Sequence, residues 1–128
     1  MTKEDIKILL VDDEKQFVDT LSERLAMRGF EARVAYDGPE ALKAVEQPTD
    51  VIVLDLRMPG MDGFEVLRNV KKSNPQVQVI ILTGHGGDAE EQTAYRMGAY
   101  NFLRKPMDID ELLNSIRMAY RDKLENAM

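Results

Sequence analysis

Five short β-branched runs alternate strictly with five longer amphipathic segments, and this alternation most limits the folds open to the chain. The runs cover residues 6–11, 32–35, 51–54, 77–82 and 101–104. Three of them hold unbroken apolar stretches: Ile8-Leu9-Leu10-Val11, Val51-Ile52-Val53-Leu54 and Val79-Ile80-Ile81-Leu82. A strand with one face in water would alternate apolar and polar residues. Unbroken runs belong to parallel strands that helices cover on both faces.

The segments between the runs read as helices. The first places Phe17, Val18, Leu21 and Leu25 on one face, and Gly29 suits a left-handed exit. The second opens at Gly38-Pro39 and buries Ala41, Leu42 and Val45. Phe64, Leu67 and Val70 form the stripe of the third, which stops before Asn74-Pro75. The fourth, residues 88–97, has only Ala89, Ala94 and Met97 to bury and ends at Gly98. The fifth opens with an Asp108…Glu111 capping pattern and carries the best stripe, Ile109, Leu112, Leu113 and Ile116.

Five β–α units in this order predict an α/β protein with right-handed crossovers. The flavodoxin-like arrangement fits: a doubly wound five-stranded parallel sheet, order 2-1-3-4-5, with five helices. A chain of 128 residues that is 44% hydrophobic can fill one core and excludes disorder. Residues 1–128 therefore read as a single domain, with 122–128 as a frayed end or the stub of a linker. A net charge of -6 disfavours direct nucleic-acid binding. The absence of Cys removes thiolate metal sites and nucleophiles, and the single His85 removes most His-based ones. The charged start Met1-Thr2-Lys3-Glu4-Asp5 is no signal peptide. No apolar run approaches the roughly 20 residues needed to cross a bilayer, so a cytoplasmic, membrane-free protein is expected.

In an open α/β sheet, ligands bind beyond the carboxyl ends of the strands, where strand order reverses. Asp12 and Asp13 follow the first strand and Asp55 ends the third, and these strands are neighbours at that reversal. Thr83 ends the fourth strand and Lys105-Pro106 the fifth. Three carboxylates in one crevice need a cation, and an oxygen-only donor set points to Mg²⁺. One of them could then attack phosphorus, with Thr83 and Lys105 flanking the anion.

Each residue also has a plainer reading. Asp12 and Asp13 could cap the first helix, with Gln16 as partner. Thr83 taken alone is a β-branched strand end, Lys105 a surface lysine and Phe102 a core residue. His85 would line the rim. The turn Met58-Pro59-Gly60-Met61-Asp62-Gly63 would use its Met side chains for packing.

Over about residues 7–123 the chain resembles the receiver domain of bacterial two-component response regulators. Val11-Asp12-Asp13-Glu14, Asp55-Leu56-Arg57-Met58-Pro59-Gly60-Met61-Asp62-Gly63, Leu82-Thr83-Gly84 and Lys105-Pro106 carry the resemblance. It implies that Asp55 is the phosphoacceptor. Asp12, Asp13 (the more direct ligand), Asp55 and the backbone carbonyl of Arg57 would hold Mg²⁺. Thr83 and Lys105 would bind the phosphoryl group, and Phe102 would stand where the family keeps a rotating aromatic. Arg57 and His85 occupy positions expected to modulate the lifetime of the phosphorylated state. A cis Lys105-Pro106 bond is also implied.

The implied function is a phosphorylation-activated switch of the helix 4–strand 5–helix 5 face, not an enzyme beyond its own phosphorylation and dephosphorylation. Its partners would be a sensor histidine kinase or phosphotransfer protein and a downstream effector. A phosphorylation-dependent homodimer is left open. Other functions fit less well. A haloacid-dehalogenase-type phosphatase needs an acid two residues after the nucleophile, where Arg57 stands. A flavin carrier needs a phosphate loop where Asp12-Asp13-Glu14 would repel phosphate. A degenerate receiver would lack part of the acid set.

Overall fold

The unbroken apolar runs become strands of one parallel sheet, in a computed structural model that describes residues 5–126. Residues 1–4 of the charged start and 127–128 of the expected frayed end lie outside the described residues. The elements alternate as β1 (Ile8–Val11), α1 (Lys15–Met27), β2 (Ala32–Ala35), α2 (Gly38–Ala44) and β3 (Val51–Leu54). They continue as α3 (Gly63–Ser73), β4 (Gln78–Thr83), α4 (Asp88–Arg96), β5 (Asn101–Arg104) and α5 (Ile109–Asn126). The strand order is β2-β1-β3-β4-β5, all parallel, which is the flavodoxin-like topology.

Side-chain alternation divides each inner strand between two cores. Leu9, Val11, Ile52, Leu54, Val79 and Ile81 face α2, α3 and α4, where Ala41, Val66, Leu67, Val70 and Ala94 meet them. Ile8, Leu10, Val51, Val53, Ile80 and Leu82 face α1 and α5, against Val18, Leu21, Leu25, Leu112 and Ile116. Both faces are dry, so the three central strands carry no polar alternation.

The helix ends follow the local chemistry. Gly29 and Gly98 take positive φ at the exits of α1 and α4. Asp37 and Asp62 cap α2 and α3 by accepting from the N–H groups of Glu40 and Glu65. Asp108 accepts from the N–H of Asp110 at the start of α5.

Several expectations are corrected. The first strand begins at Ile8 rather than at residue 6, although Ile6 is buried in the α1–α5 core. The fourth runs Gln78–Thr83, one residue later than its apolar run. Phe17 is not a core residue. It lies 36% exposed, because its position on α1 turns it toward the end of the sheet. Val66 is fully buried in the α3 stripe, while Leu42, Phe64 and Met97 are only partly buried. Ala89 is exposed, leaving Ala94 as the one buried residue of α4. The N-cap position of α1 is Glu14 and makes no side-chain capping bond, so the Asp13–Gln16 cap does not form.

The expected fray is helical as far as Asn126. Lys123 Nζ reaches Asp50 Oδ1 at 2.6 Å, and the Tyr100 hydroxyl donates to Asp122 Oδ2 at 2.6 Å. That bond to a carboxylate, with help from burial, pushes the Tyr100 phenol up from 10.0 to about 12. A raised folded-state pKa means stability fully present below pH 10 and lost as pH rises toward 12. Tyr100→Phe should therefore show a shallower fall in unfolding free energy across that interval. Because the hydroxyl is partly solvated, the difference from wild type should not exceed about 1 kcal/mol. Denaturant titrations at stepped pH check it, with phenolate absorbance assigning the late-ionising group.

Candidate functional site

Strand register assembles the site. Val11 of β1 and Leu54 of β3 are paired, and the next residue on each strand is an aspartate. The Asp12 N–H donates to the Ala35 carbonyl at 3.1 Å and the Asp55 N–H to the Val11 carbonyl at 3.0 Å. Both carboxylates are thereby fixed at the end of the sheet, 4% and 3% exposed. Asp13, half-buried, completes a cluster in which one carboxylate oxygen from each residue lies within 4.8 Å of the others.

Lys105 supplies the positive charge. A cis Lys105-Pro106 bond follows β5, and the Lys105 N–H donates to the Thr83 carbonyl at 2.9 Å. Its Nζ lies 2.7 Å from Asp12 Oδ2, 3.0 Å from Glu14 Oε1 and 4.0 Å from Asp55 Oδ2. The Phe17 ring covers the same ammonium, centroid at 4.1 Å. Burial works against the charge on Lys105. The hydrogen bonds to Asp12 and Glu14 outweigh it and hold the pKa above the usual lysine value. Burial raises the Asp12 carboxyl, and the neighbouring Asp55 charge adds to the rise. The bonds from Lys105 and the Glu14 N–H oppose this without cancelling it.

Asp55 Oδ1 is the exception to this pairing. It is the one buried side-chain nitrogen or oxygen without a hydrogen-bond partner among the described residues. Leaving a buried acceptor unpaired costs about 1–3 kcal/mol, and more for a charged one. An orphaned carboxylate oxygen beside two further carboxylates, with hard oxygen donors only, fits a divalent cation such as Mg²⁺.

Thr83 is fully buried, and its Oγ1 accepts from the His85 N–H at 3.1 Å. No bond joins it to Asp55 among those described. His85 and Arg57 are exposed and line a hollow of about 440 Å³ beside the crevice, with Asp62 and Glu90. Phe102 is buried, 5% exposed, in the core between the sheet and α4.

Sequence reasoning missed four neighbours. Glu14 and Phe17 hold Lys105, a contact across some ninety residues that no linear pattern announces. Arg104 stacks its guanidinium over Phe102 at 5.2 Å. Gly63, read as part of a turn, is packed so closely that an added Cβ would lie 2.4 Å from the Asp55 carbonyl oxygen. Its place in the Asp62-Gly63 turn was the only available signal.

A family model described as the response regulator receiver domain matches residues 8–117. The chain is 36% identical over 115 residues to the transcriptional regulatory protein CpxR of Klebsiella pneumoniae, covering 90% of this chain and 49% of that one. It is 37% identical over 113 residues to the DNA-binding transcriptional regulator NtrC of Escherichia coli, covering 88% of this chain and 24% of that one. It thus spans half or less of the length of these relatives. A solved receiver domain from Clostridium thermocellum superposes with a TM-score of 0.89 at 34% identity, over 96% of this chain and 99% of the other. With the sheet order and the strand-end carboxylates already in place, these matches show that the chain belongs to the response regulator receiver domain family, the signalling switches of two-component systems.

Proposed function

We propose that this receiver takes a phosphoryl group onto Asp55 in a Mg²⁺-dependent reaction and switches its α4–β5–α5 face in response. The unpartnered Asp55 oxygen, buried beside Asp12 and Asp13 and faced by Lys105, is the observation that carries the reading. The donor is the phosphohistidine of a sensor kinase or phosphotransfer protein, or a small acyl phosphate. With phosphohistidine, an Asp55 oxygen forms the new P–O bond as the P–N bond breaks. The imidazole nitrogen keeps that bonding pair and takes up a proton.

Asp12, Asp13, Asp55 and the Arg57 backbone carbonyl would hold Mg²⁺, which supplies neutralising charge for the phosphoryl oxygens. Lys105 gives up part of its hold on Asp12 and Glu14 to pair with the new anion. The Thr83 hydroxyl turns to donate to it, and Phe102 follows the space that Thr83 vacates. Arg57 and His85 at the rim modulate hydrolysis. The protein is a switch rather than an enzyme, acting in the cytoplasm on a downstream effector, by itself or through a phosphorylation-dependent homodimer. No helix among the described residues is long and apolar enough to cross a membrane.

Metal binding gives a direct test. At ten times its Kd, Mg²⁺ should raise the unfolding free energy by about 1.4 kcal/mol, which thermal denaturation reads as a higher Tm. Asp13→Asn should remove most of that gain. It should also raise the metal-free Tm, because one of three mutually repelling carboxylates is gone. A wild-type Tm indifferent to Mg²⁺ contradicts the proposal.

A further inference from the structure

The geometry points to Arg104 as a latch that holds the switch face in its resting arrangement, an inference that rests on the reading of Asp55 as phosphoacceptor. Arg104 is the last residue of β5, two positions beyond Phe102 on the same strand face. Its guanidinium touches three things that would have to move together. Over the Phe102 ring it stacks at 5.2 Å. To the first two turns of α4 it pairs with Glu91 Oε1 at 3.0 Å and Asp88 Oδ1 at 3.7 Å. To the β4–α4 loop it presents Nε toward the Gly86 carbonyl at 3.5 Å.

The loop between these elements is built to respond. Thr83 Oγ1 is engaged by the His85 N–H, so turning the hydroxyl toward Asp55 releases the first residues of that loop. Gly84, Gly86 and Gly87 follow with little steric restraint. Gly86 adopts φ +123°, and a Cβ there would lie 3.4 Å from Phe102 Cζ, so the loop lies against the inward ring. Once the loop shifts, Arg104 loses its carbonyl acceptor and its alignment with Asp88 and Glu91.

The body of α4 offers little resistance of its own, since Ala94 is its only buried residue. Farther along, a hydrogen-bonded chain spans the same face. The Phe102 N–H donates to the Tyr95 hydroxyl at 3.1 Å, that hydroxyl donates to Asn101 Oδ1 at 3.1 Å, and Asn101 Nδ2 donates to Ser115 Oγ at 3.0 Å. This chain ties the C-terminal half of α4 to β5 and α5. Arg104 holds the N-terminal half, nearest the site. Each of its contacts is weak at a partly exposed position, but all three converge on one guanidinium and favour the same state.

The test follows phosphate incorporation from a small acyl phosphate with Mg²⁺ by intact-protein mass, alongside amide NMR spectra without donor. Arg104→Ala should accept phosphate about three- to five-fold faster, because the competent arrangement is more populated before reaction. Its amides over residues 84–95 should shift toward the positions of the phosphorylated wild type. Glu91→Gln breaks the same pair from the other side and should act likewise, and the double variant should gain little over either single one. Loss of a positive charge beside the site would by itself slow an anionic donor. An Arg104→Ala protein that is slower or unchanged, with unmoved amides, therefore overturns the latch while leaving the Asp55 reading intact. A wild type that takes no phosphate overturns both.

Discussion

Asp55→Asn protein should keep its unmodified mass after incubation with Mg²⁺ and a small acyl phosphate, whereas the wild type should gain one phosphoryl group. The substitution is nearly isosteric, so the end of β3, its bond to the Val11 carbonyl and the surrounding core stay in place. It would remove the proposed anionic nucleophile; a neutral amide has no comparable attack on phosphorus. It also removes a buried, unpartnered carboxylate oxygen, so the metal-free variant should melt at a higher temperature than the wild type. Loss of function joined to gain of stability separates a site residue from a core residue, whose replacement would lower both. Equal labelling of Asp55→Asn and wild type would place the phosphate elsewhere.

Gly63→Ala should be strongly destabilising. A Cβ at this position would lie 2.4 Å from the Asp55 carbonyl oxygen and 2.6 Å from Leu56 Cα, both main-chain atoms that cannot swing aside. The Gly63 N–H also donates to the Leu56 carbonyl at 2.8 Å, so the two segments cannot part without losing that bond. Overpacking of this kind costs about 3 kcal/mol, which for a domain of this size lowers Tm by roughly 10 °C. The displaced atoms belong to Asp55 and its neighbour, so phosphate acceptance should slow even where the chain is still folded. Gly60→Ala is the control. It has open space around its Cβ but a φ of +80°, so it should cost only about 1–2 kcal/mol and leave phosphate acceptance unchanged. Thermal melts of both variants, with labelling well below each Tm, distinguish crowding from backbone conformation.

The sheet was legible because burial on both faces leaves a trace that no one-sided strand leaves, in runs too short and too β-branched for helices: Val51 to Leu54 are apolar without interruption and lie in two different cores. The gathering of Asp12, Asp13 and Asp55 was legible for a related reason. A carboxylate that ends a wholly apolar strand has one place to go, the open end of the sheet, and the topology makes those strand ends neighbours. Phe17 was misread because helical spacing tells which residues share a face but not where that face stops. At the first turn of α1 the stripe has run past the sheet, and the ring covers Lys105 instead. Ala89 failed in the same way at the start of α4. Glu14 and Arg104 were invisible because their partners are set by tertiary structure and their charges look like ordinary solvated ones. Residues 122–126 read as a frayed end or a linker stub, and Asp122 and Lys123 look there like ordinary solvated charges. Their partners, Tyr100 and Asp50, lie far away in the chain.

The pairing of Val11 with Leu54 has a consequence for when the molecule becomes competent. Asp12 and Asp55 meet only after two strands separated by forty residues have found each other in one alignment. A slip of a single residue would turn every side chain of one strand to the opposite face and scatter the acids. Such long-range parallel pairing forms late compared with local helices. On the proposed reading, a nascent or misfolded chain would therefore have no assembled acid cluster to offer a phosphodonor, and only copies that have finished folding would consume it.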